Sequence, residues 1–252
     1  MKHEEIYKNT CVQTDTKIIL LVMDGLGDLP INGKTALEAA QTPHLDSLAA
    51  DSSCGLTDPV FMGITPGSGP AHLSLFGYDP TRYILGRGIL EALGVGVEVG
   101  RNDLVARGNF ATMKSGLIVD RRAGRIPTEE NEKLCRELNT SLSLIEETEI
   151  SLFPGKEHRF VVRFRRPGLD DRLSDADPQK ENKPVAYSRP LSGTAEETAR
   201  IVNTFMDNAF EILKKKTKAN CVLLRGFSKY PSIPTMQDLF KLNPACIANY
   251  PM

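Results

Sequence analysis

The sequence predicts an α/β protein: a mainly parallel sheet flanked by helices, interrupted by an inserted α+β domain. Three observations lead there. Residues 17–23 (Lys-Ile-Ile-Leu-Leu-Val-Met) are an unbroken apolar run, the pattern of a strand covered on both faces. Up to about residue 100 strand, loop and helix signals alternate twice. Beyond it, paired strands with hairpin signals take over. The boundaries drawn from this are residues 1–100 for the first part of the core and 101–230 for the inserted domain. Residues 231–252 then start a returning core that is cut short.

The elements follow in order. The apolar run ends at Asp24, Gly25, Leu26, Gly27 and Asp28, a loop with two acids and two glycines. Thr42 is placed to cap a helix that opens on Pro43, where the missing N–H costs nothing. Residues 54–57 read as a short strand, and 71–76 as a helix entered through a glycine-rich loop at Ser68. Residues 104–113 and 116–126 read as paired strands, and 127–139 as an amphipathic helix with acids at its positive end. Residues 149–153 and 158–164 flank Pro154-Gly155, a hairpin signal. A polar loop over 167–192 precedes a long helix over 194–216 with a continuous apolar face. Residues 220–224, 236–242 and 245–250 read as strand, helix and strand.

Composition narrows the partners. With 31 basic and 32 acidic side chains the chain is close to neutral, which argues against bulk electrostatic capture of nucleic acid but leaves room for a local basic pocket. Residues 1–16 are polar and lack the apolar run of a signal peptide, and the stretch 18–23 is too short to span a bilayer. The five cysteines form no CxxC pair and read as buried, reduced thiols rather than a disulfide framework. The expectation is a cytoplasmic chain with a small-molecule partner, without nucleic acid or membrane.

Two segments carry possible chemistry. Asp24 follows a strand at the end where open α/β sheets place ligand groups; it reads either as a divalent-cation ligand or as a cap of the following turn. Ser68, between Gly67 and Gly69 at a helix entrance, suits a nucleophile that takes up a phosphoryl group, because backbone N–H groups and the helix dipole favour an anion there. A plain N-cap serine is the competing reading. His72 lies one helical turn on. Two glycine-rich segments are excluded: the loop from Gly27 to Gly33 has five intervening residues where a P-loop needs four, one being Pro30, and Gly94, Gly96 and Gly100 miss the dinucleotide spacing.

The middle of the chain is rich in arginine: Arg101, Arg107, Arg121, Arg122, Arg125, Arg159, Arg163, Arg165 and Arg166. Guanidinium forks bind phosphate and carboxylate in bidentate fashion, so several in one cleft would hold a small doubly anionic substrate. Each alone reads as a solvated surface charge. Asp120-Arg121-Arg122-Ala123-Gly124-Arg125 is the sharpest cluster, and Arg225 ends a buried strand just before Gly226.

Taken together, Met23-Asp24-Gly25-Leu26-Gly27-Asp28, Thr42-Pro43-His44-Leu45-Asp46-Ser47-Leu48-Ala49 and Gly67-Ser68-Gly69-Pro70-Ala71-His72, the last running on to Gly77-Tyr78-Asp79-Pro80, resemble the cofactor-independent phosphoglycerate mutases of archaeal type, within the alkaline phosphatase superfamily. The resemblance implies an alkaline-phosphatase-like core and interconversion of 3-phosphoglycerate and 2-phosphoglycerate without 2,3-bisphosphoglycerate. It implies two divalent metal ions, Mn2+ or Mg2+, with Asp24 and Ser68 among their ligands and Ser68 passing through a phosphoserine. Arg121, Arg122, Arg125 and Arg225 would hold the phosphorylated carboxylate, and Asp175 would handle protons. The family's remaining metal ligands, aspartates and histidines after the insertion, have no counterpart in this sequence, so it reads as an N-terminal portion. Alternatives are a related metal-dependent phosphomonoesterase or phosphopentomutase, or a truncated chain that only binds anionic metabolites.

Overall fold

The computed structural model describes residues 3–23 and 25–247. It divides into two compact units, one running to Met62 and taking back Pro234–Ala245, the other comprising chiefly Gly63–Ile233. Among the described residues no helix is long and apolar enough to cross a membrane.

The first unit holds α1 (His3–Thr10), α2 (Ala36–Ala39), α3 (Pro43–Ala50) and a late helix, Met236–Phe240. Thr35 starts α2 with a reciprocal cap: its hydroxyl accepts from the Glu38 N–H at 3.2 Å, and the Glu38 carboxylate accepts from the Thr35 N–H at 2.7 Å. The Asp28 carboxylate accepts from the Ala36 N–H at 3.0 Å. Pro43 opens α3 as expected, but Thr42 does not cap it and donates instead to the Asp46 carboxylate at 2.9 Å.

Residues 17–23 are not a strand, which corrects the parallel core read from the sequence: Ile19 is 91% exposed and Leu21 73%. A strand exists through pairing, and among the described residues of this unit the one ladder contact is the single bridge between Ile31 and Lys34. Residues 54–57 and 245–247 are likewise not strands, and the end of the expected last strand, 248–250, lies outside the described residues.

The second unit carries α4 (Ser68–Leu75), α5 (Arg87–Gly94), β1 (Asp103–Lys114), β2 (Leu117–Asp120), α6 (Thr128–Ser141), β3 (Leu144–Ile145), β4 (Thr148–Pro154), β5 (Arg159–Arg165), β6 (Lys183–Pro184), α7 (Glu196–Leu213) and β7 (Cys221–Lys229). The strands form one sheet in which every described pairing is antiparallel; β1 lies between β5 and β7 along most of its length and meets β2 at its end. The sequence placed most of these elements, though β2 stops at Asp120 where the expected strand ran to 126.

The period of two along β1 sorts its side chains. Leu104, Ala106 and Phe110 join the main core with Leu134 and Leu138 of α6 and Ile201, Phe205 and Leu213 of α7. On the other face Val105 packs with Ile89 and Ala92 of α5, and Ala111 packs with Cys221 and Leu223. Between those two apolar patches lie Arg107 and Asn109. The sheet is therefore closed on one side by helices and left polar in the middle of the other.

Helix α5 seats against this second face through glycine. A Cβ on Gly88 would stand 2.6 Å from both the Gly226 and Val105 carbonyl oxygens, so no larger residue fits while the helix lies this close. Gly226 itself has φ +65°, and a Cβ there would meet the Arg87 nitrogen at 2.7 Å. This contact brings Arg87 and Arg225 into one neighbourhood.

All five cysteines are free, but only Cys135 and Cys221 are buried; Cys54 and Cys246 are exposed and Cys11 is intermediate, which corrects the reading of five buried thiols. Burial pushes the Cys135 and Cys221 thiols up to about 12.

Candidate functional site

The polar middle of the second sheet face is the floor of a cavity of about 550 Å³. Arg107 and Asn109 are contributed by β1, Arg159 by β5 and Arg225 by β7; the ladder puts Arg107 opposite Arg225 and Asn109 opposite Arg159. Arg87, the first residue of α5, adds one wall, and Lys156, Glu157 and His158 from the β4–β5 hairpin add another.

The turn after β2 supplies Arg121, Arg122 and Arg125. Its shape comes from Asp120, whose carboxylate accepts from the Arg122 N–H at 2.7 Å and the Gly124 N–H at 2.5 Å. Ala123, Gly124 and Arg125 consecutively occupy the left-handed region, with φ 48°, 63° and 51°, a conformation that non-glycine residues adopt at a cost. Arg121 is then held by Asp177, which accepts from its Nε at 3.0 Å and its Nη2 at 2.6 Å. The Asp177 side chain is almost fully buried, so this is a rigid, bidentate anchor.

The charges in the cavity repel one another. Burial, with the nearby Arg225, Arg159 and Arg87 charges, pulls Arg107 down to about 10, against the opposing pull of Glu91, whose carboxylate lies 3.7 Å from Nε. Arg225 is also lowered, first by burial and then by Arg87. The Nε atoms of Arg107 and Arg225 are buried without a hydrogen-bond partner. Buried donors left in this state cost free energy that an anion of matching shape would recover. His158 is pulled down to about 4 by burial and the surrounding guanidiniums, so it is neutral at physiological pH. A compact ligand with two or more negative charges is what this cavity can hold.

The structure thus gathers Arg121, Arg122, Arg125 and Arg225 in one place. Ser68 and Asp175 do not line the cavity. Ser68 is the exposed first residue of α4, with Gly67 at the cap position, so its side chain is not used as the N-cap; its carbonyl lies 2.7 Å from His72 Nδ1. Asp175 accepts from the Gly226 N–H at 2.8 Å and from the Gln179 amide at 3.2 Å. Asp24 lies outside the described residues. Among the described residues no three His, Cys, Asp or Glu side chains converge, so those residues do not by themselves build a metal centre.

Three other arginines of the middle segment are structural. Arg165 grips the buried Asp103 at 2.6 and 2.9 Å, Arg166 pairs with Glu197 at 2.9 Å, and Arg163 lies over the Phe153 ring. Sequence reasoning missed Arg87, Asn109, Lys156, Glu157 and His158 as site residues. The alternation Arg107-x-Asn109 inside a strand was the available signal for Asn109, since it puts both on one face.

Residues 49–218 match the family model described as 2,3-bisphosphoglycerate-independent phosphoglycerate mutase. A probable 2,3-bisphosphoglycerate-independent phosphoglycerate mutase of Thermotoga neapolitana is 58% identical over 94% of this chain and 59% of its own length. One from Thermus thermophilus is 48% identical over 98% of this chain and 62% of its own length. The chain therefore spans roughly three fifths of these relatives. Among solved structures, a cofactor-independent phosphoglycerate mutase of Thermoplasma acidophilum matches 72% of this chain and 52% of that one, with TM-score 0.57 and 35% identity. A protein of Pyrococcus horikoshii matches 84% of this chain and 51% of that one, with TM-score 0.63 and 32% identity. On the family match and these identities, the chain belongs to the 2,3-bisphosphoglycerate-independent phosphoglycerate mutase family.

Proposed function

We propose that the chain serves interconversion of 3-phosphoglycerate and 2-phosphoglycerate, without 2,3-bisphosphoglycerate. The observation that carries this is the arginine cavity, whose unpaired buried guanidinium donors match a small ligand bearing a phosphate and a carboxylate. Arg121, Arg122, Arg125 and Arg225 hold those two groups. The Ser68 oxygen bonds to phosphorus as the phosphorus–oxygen bond to the substrate carbon chain breaks, giving phosphoserine and glycerate. The serine proton passes to the departing oxygen, with Asp175 as the candidate for that handling. Glycerate turns while the arginines hold it, and its other hydroxyl takes the phosphoryl group as its proton returns to Ser68; since Ser68 does not line the cavity, the route requires the two to be brought together. The arginines retain the glycerate between the two halves.

Asp24 and Ser68 are the chain's proposed donors to two divalent ions, Mn2+ or Mg2+. The proposed setting is the cytoplasm, with the phosphorylated carboxylate as partner.

The test is incubation with 3-phosphoglycerate and a divalent ion, following 2-phosphoglycerate and free phosphate separately. The proposal predicts 2-phosphoglycerate without phosphate release, and loss of it in Ser68→Ala. Phosphate release alone would make the chain a phosphomonoesterase, and activity surviving Ser68→Ala would remove the phosphoserine. A second reading, binding of anionic metabolites without turnover, is favoured by the lack of a convergent metal-ligand group among the described residues. Its outcome in the same experiment is saturable binding with neither product.

A further inference from the structure

The arginine cavity contains two groups that its anion-binding role does not use. Guanidinium and ammonium groups only donate hydrogen bonds, so Arg87, Arg107, Arg225 and their neighbours can hold phosphate or carboxylate oxygens but cannot accept from a hydroxyl. Among the lining side chains the acceptors are Asn109, His158 and Glu157. Glu157 carries a negative charge that repels an anionic ligand. Asn109 and His158 are 5% and 3% exposed, and Asn109 Oδ1 and His158 Nδ1 are each buried with no hydrogen-bond partner.

The orientation of Asn109 is fixed by chemistry. Its amide nitrogen stands 3.4 Å from the Arg121 carbonyl oxygen, which can only accept, so the NH2 group faces that carbonyl and Oδ1 is left over. Asn109 also sits two residues from Arg107 on the same face of β1 and opposite Arg159, in the midst of the cation cluster. His158 lies immediately before Arg159, its backbone carbonyl tied to the Phe110 N–H at 2.8 Å, so its position is set by the sheet. Burial and the guanidiniums keep the imidazole neutral against the opposing pull of the Glu157 carboxylate, which lies 3.8 Å from Nδ1, and a neutral imidazole keeps one of its two ring nitrogens as an acceptor.

We infer that Asn109 and His158 form a hydroxyl-reading subsite: they accept hydrogen bonds from the free hydroxyl of a hydroxy-acid ligand whose anionic groups the surrounding arginines hold. This rests on the proposed phosphoglycerate-binding role and deepens it. The arginines would bind any compact dianion of the right span. Asn109 and His158 would select those carrying a hydroxyl, and during turnover they would hold the oxygen that waits to receive the phosphoryl group.

The experiment is calorimetric binding of two probes to the full chain: 3-phosphoglycerate, and the phosphate ester of 3-hydroxypropanoate, which lacks only the 2-hydroxyl. The subsite predicts that the wild-type chain prefers 3-phosphoglycerate by about tenfold or more, the worth of one or two buried hydrogen bonds. His158→Phe and Asn109→Leu should abolish the preference, costing 3-phosphoglycerate about tenfold more affinity than they cost the deoxy probe. His158→Gln, which restores an acceptor, should recover part of it. Equal affinity of the wild-type chain for both probes overturns the subsite while leaving the anion cavity standing, and needs no variant to fold. Variants that weaken both probes alike also overturn it, since that is what a purely structural role gives. Binding of neither probe by the wild-type chain overturns the inference together with the function on which it rests.

Discussion

Arg107 and Arg225 stand directly opposite one another across the β1–β7 ladder, each with a buried Nε that no acceptor satisfies. Like charges in register on neighbouring strands destabilise a sheet. Their retention at the floor of a cavity exchanges stability for a preformed anion site, and Arg225→Met tests that exchange. The substitution should stabilise the chain by about 1 kcal/mol, or about 2–4 °C in Tm for a domain of this size. Inorganic phosphate should then protect the variant against heat less than it protects the wild type. A melting point that falls in the absence of anions would show that the pair is satisfied in some other way.

Acid sensitivity should come from His158. Its folded value, about 4, lies below the ordinary 6.5, so the unfolded chain takes up a proton that the folded chain refuses. Stability contributed in this way is intact above pH 6.5 and is lost as the pH falls towards 4. Between pH 7 and pH 5 the loss should be about 2 kcal/mol. Urea melts at the two pH values should show it in the wild type, and His158→Gln should remove most of the difference.

Asp177 acts through Arg121. Replacing it by asparagine keeps the shape but removes the charge that receives both guanidinium bonds. The chain should lose about 1–3 kcal/mol of stability, and phosphate affinity should drop as Arg121 leaves its fixed rotamer. Denaturant melts and phosphate titration read the two effects separately. If stability falls with phosphate affinity unchanged, Arg121 does not contribute to binding.

Two glycines should behave oppositely when changed to alanine. At Gly88 the new methyl would meet two carbonyl oxygens at 2.6 Å, forcing α5 off the sheet, and a cost above about 2 kcal/mol is expected. At Gly27 nothing lies within 4 Å, and the change should stay within about 0.5 kcal/mol. Paired thermal melts of the two variants decide this.

The second unit was legible in the sequence because its elements declare themselves locally. The acidic start and apolar stripe of α6, the Pro154-Gly155 turn and the long face of α7 need no distant partner to be recognised. Strand direction was not legible. Residues 220–224, read as a buried strand, do lie in one, covered by the main core and by the Ala111 patch, yet it pairs antiparallel with β1. An unbroken run reports two covered faces and says nothing about the neighbour's direction. For 17–23 the same pattern led further astray: among the described residues the run has no pairing partner, and it is exposed.

The site divides along the same line. Arg121, Arg122 and Arg125 were visible as a cluster because they are close in sequence. Arg87 and Arg225 meet only because Gly88 and Gly226 let α5 approach β7, a long-range contact no local spacing encodes. His158 was hidden by its ordinariness: a single histidine in a hairpin acquires meaning only from the guanidiniums around it.

The central claim is that this cavity binds the doubly anionic substrate, and calorimetric titration of 3-phosphoglycerate into the wild-type chain and Arg107→Met tests it most directly. Arg107 lies on the cavity floor opposite Arg225, and its Nε, 3.7 Å from the Glu91 carboxylate, is buried without a hydrogen-bond partner. The account predicts saturable binding by the wild type and a loss of at least about thirtyfold in the variant, the worth of a charged hydrogen bond in a buried site. Binding that Arg107→Met leaves within twofold of wild type would place the substrate elsewhere and contradict the account.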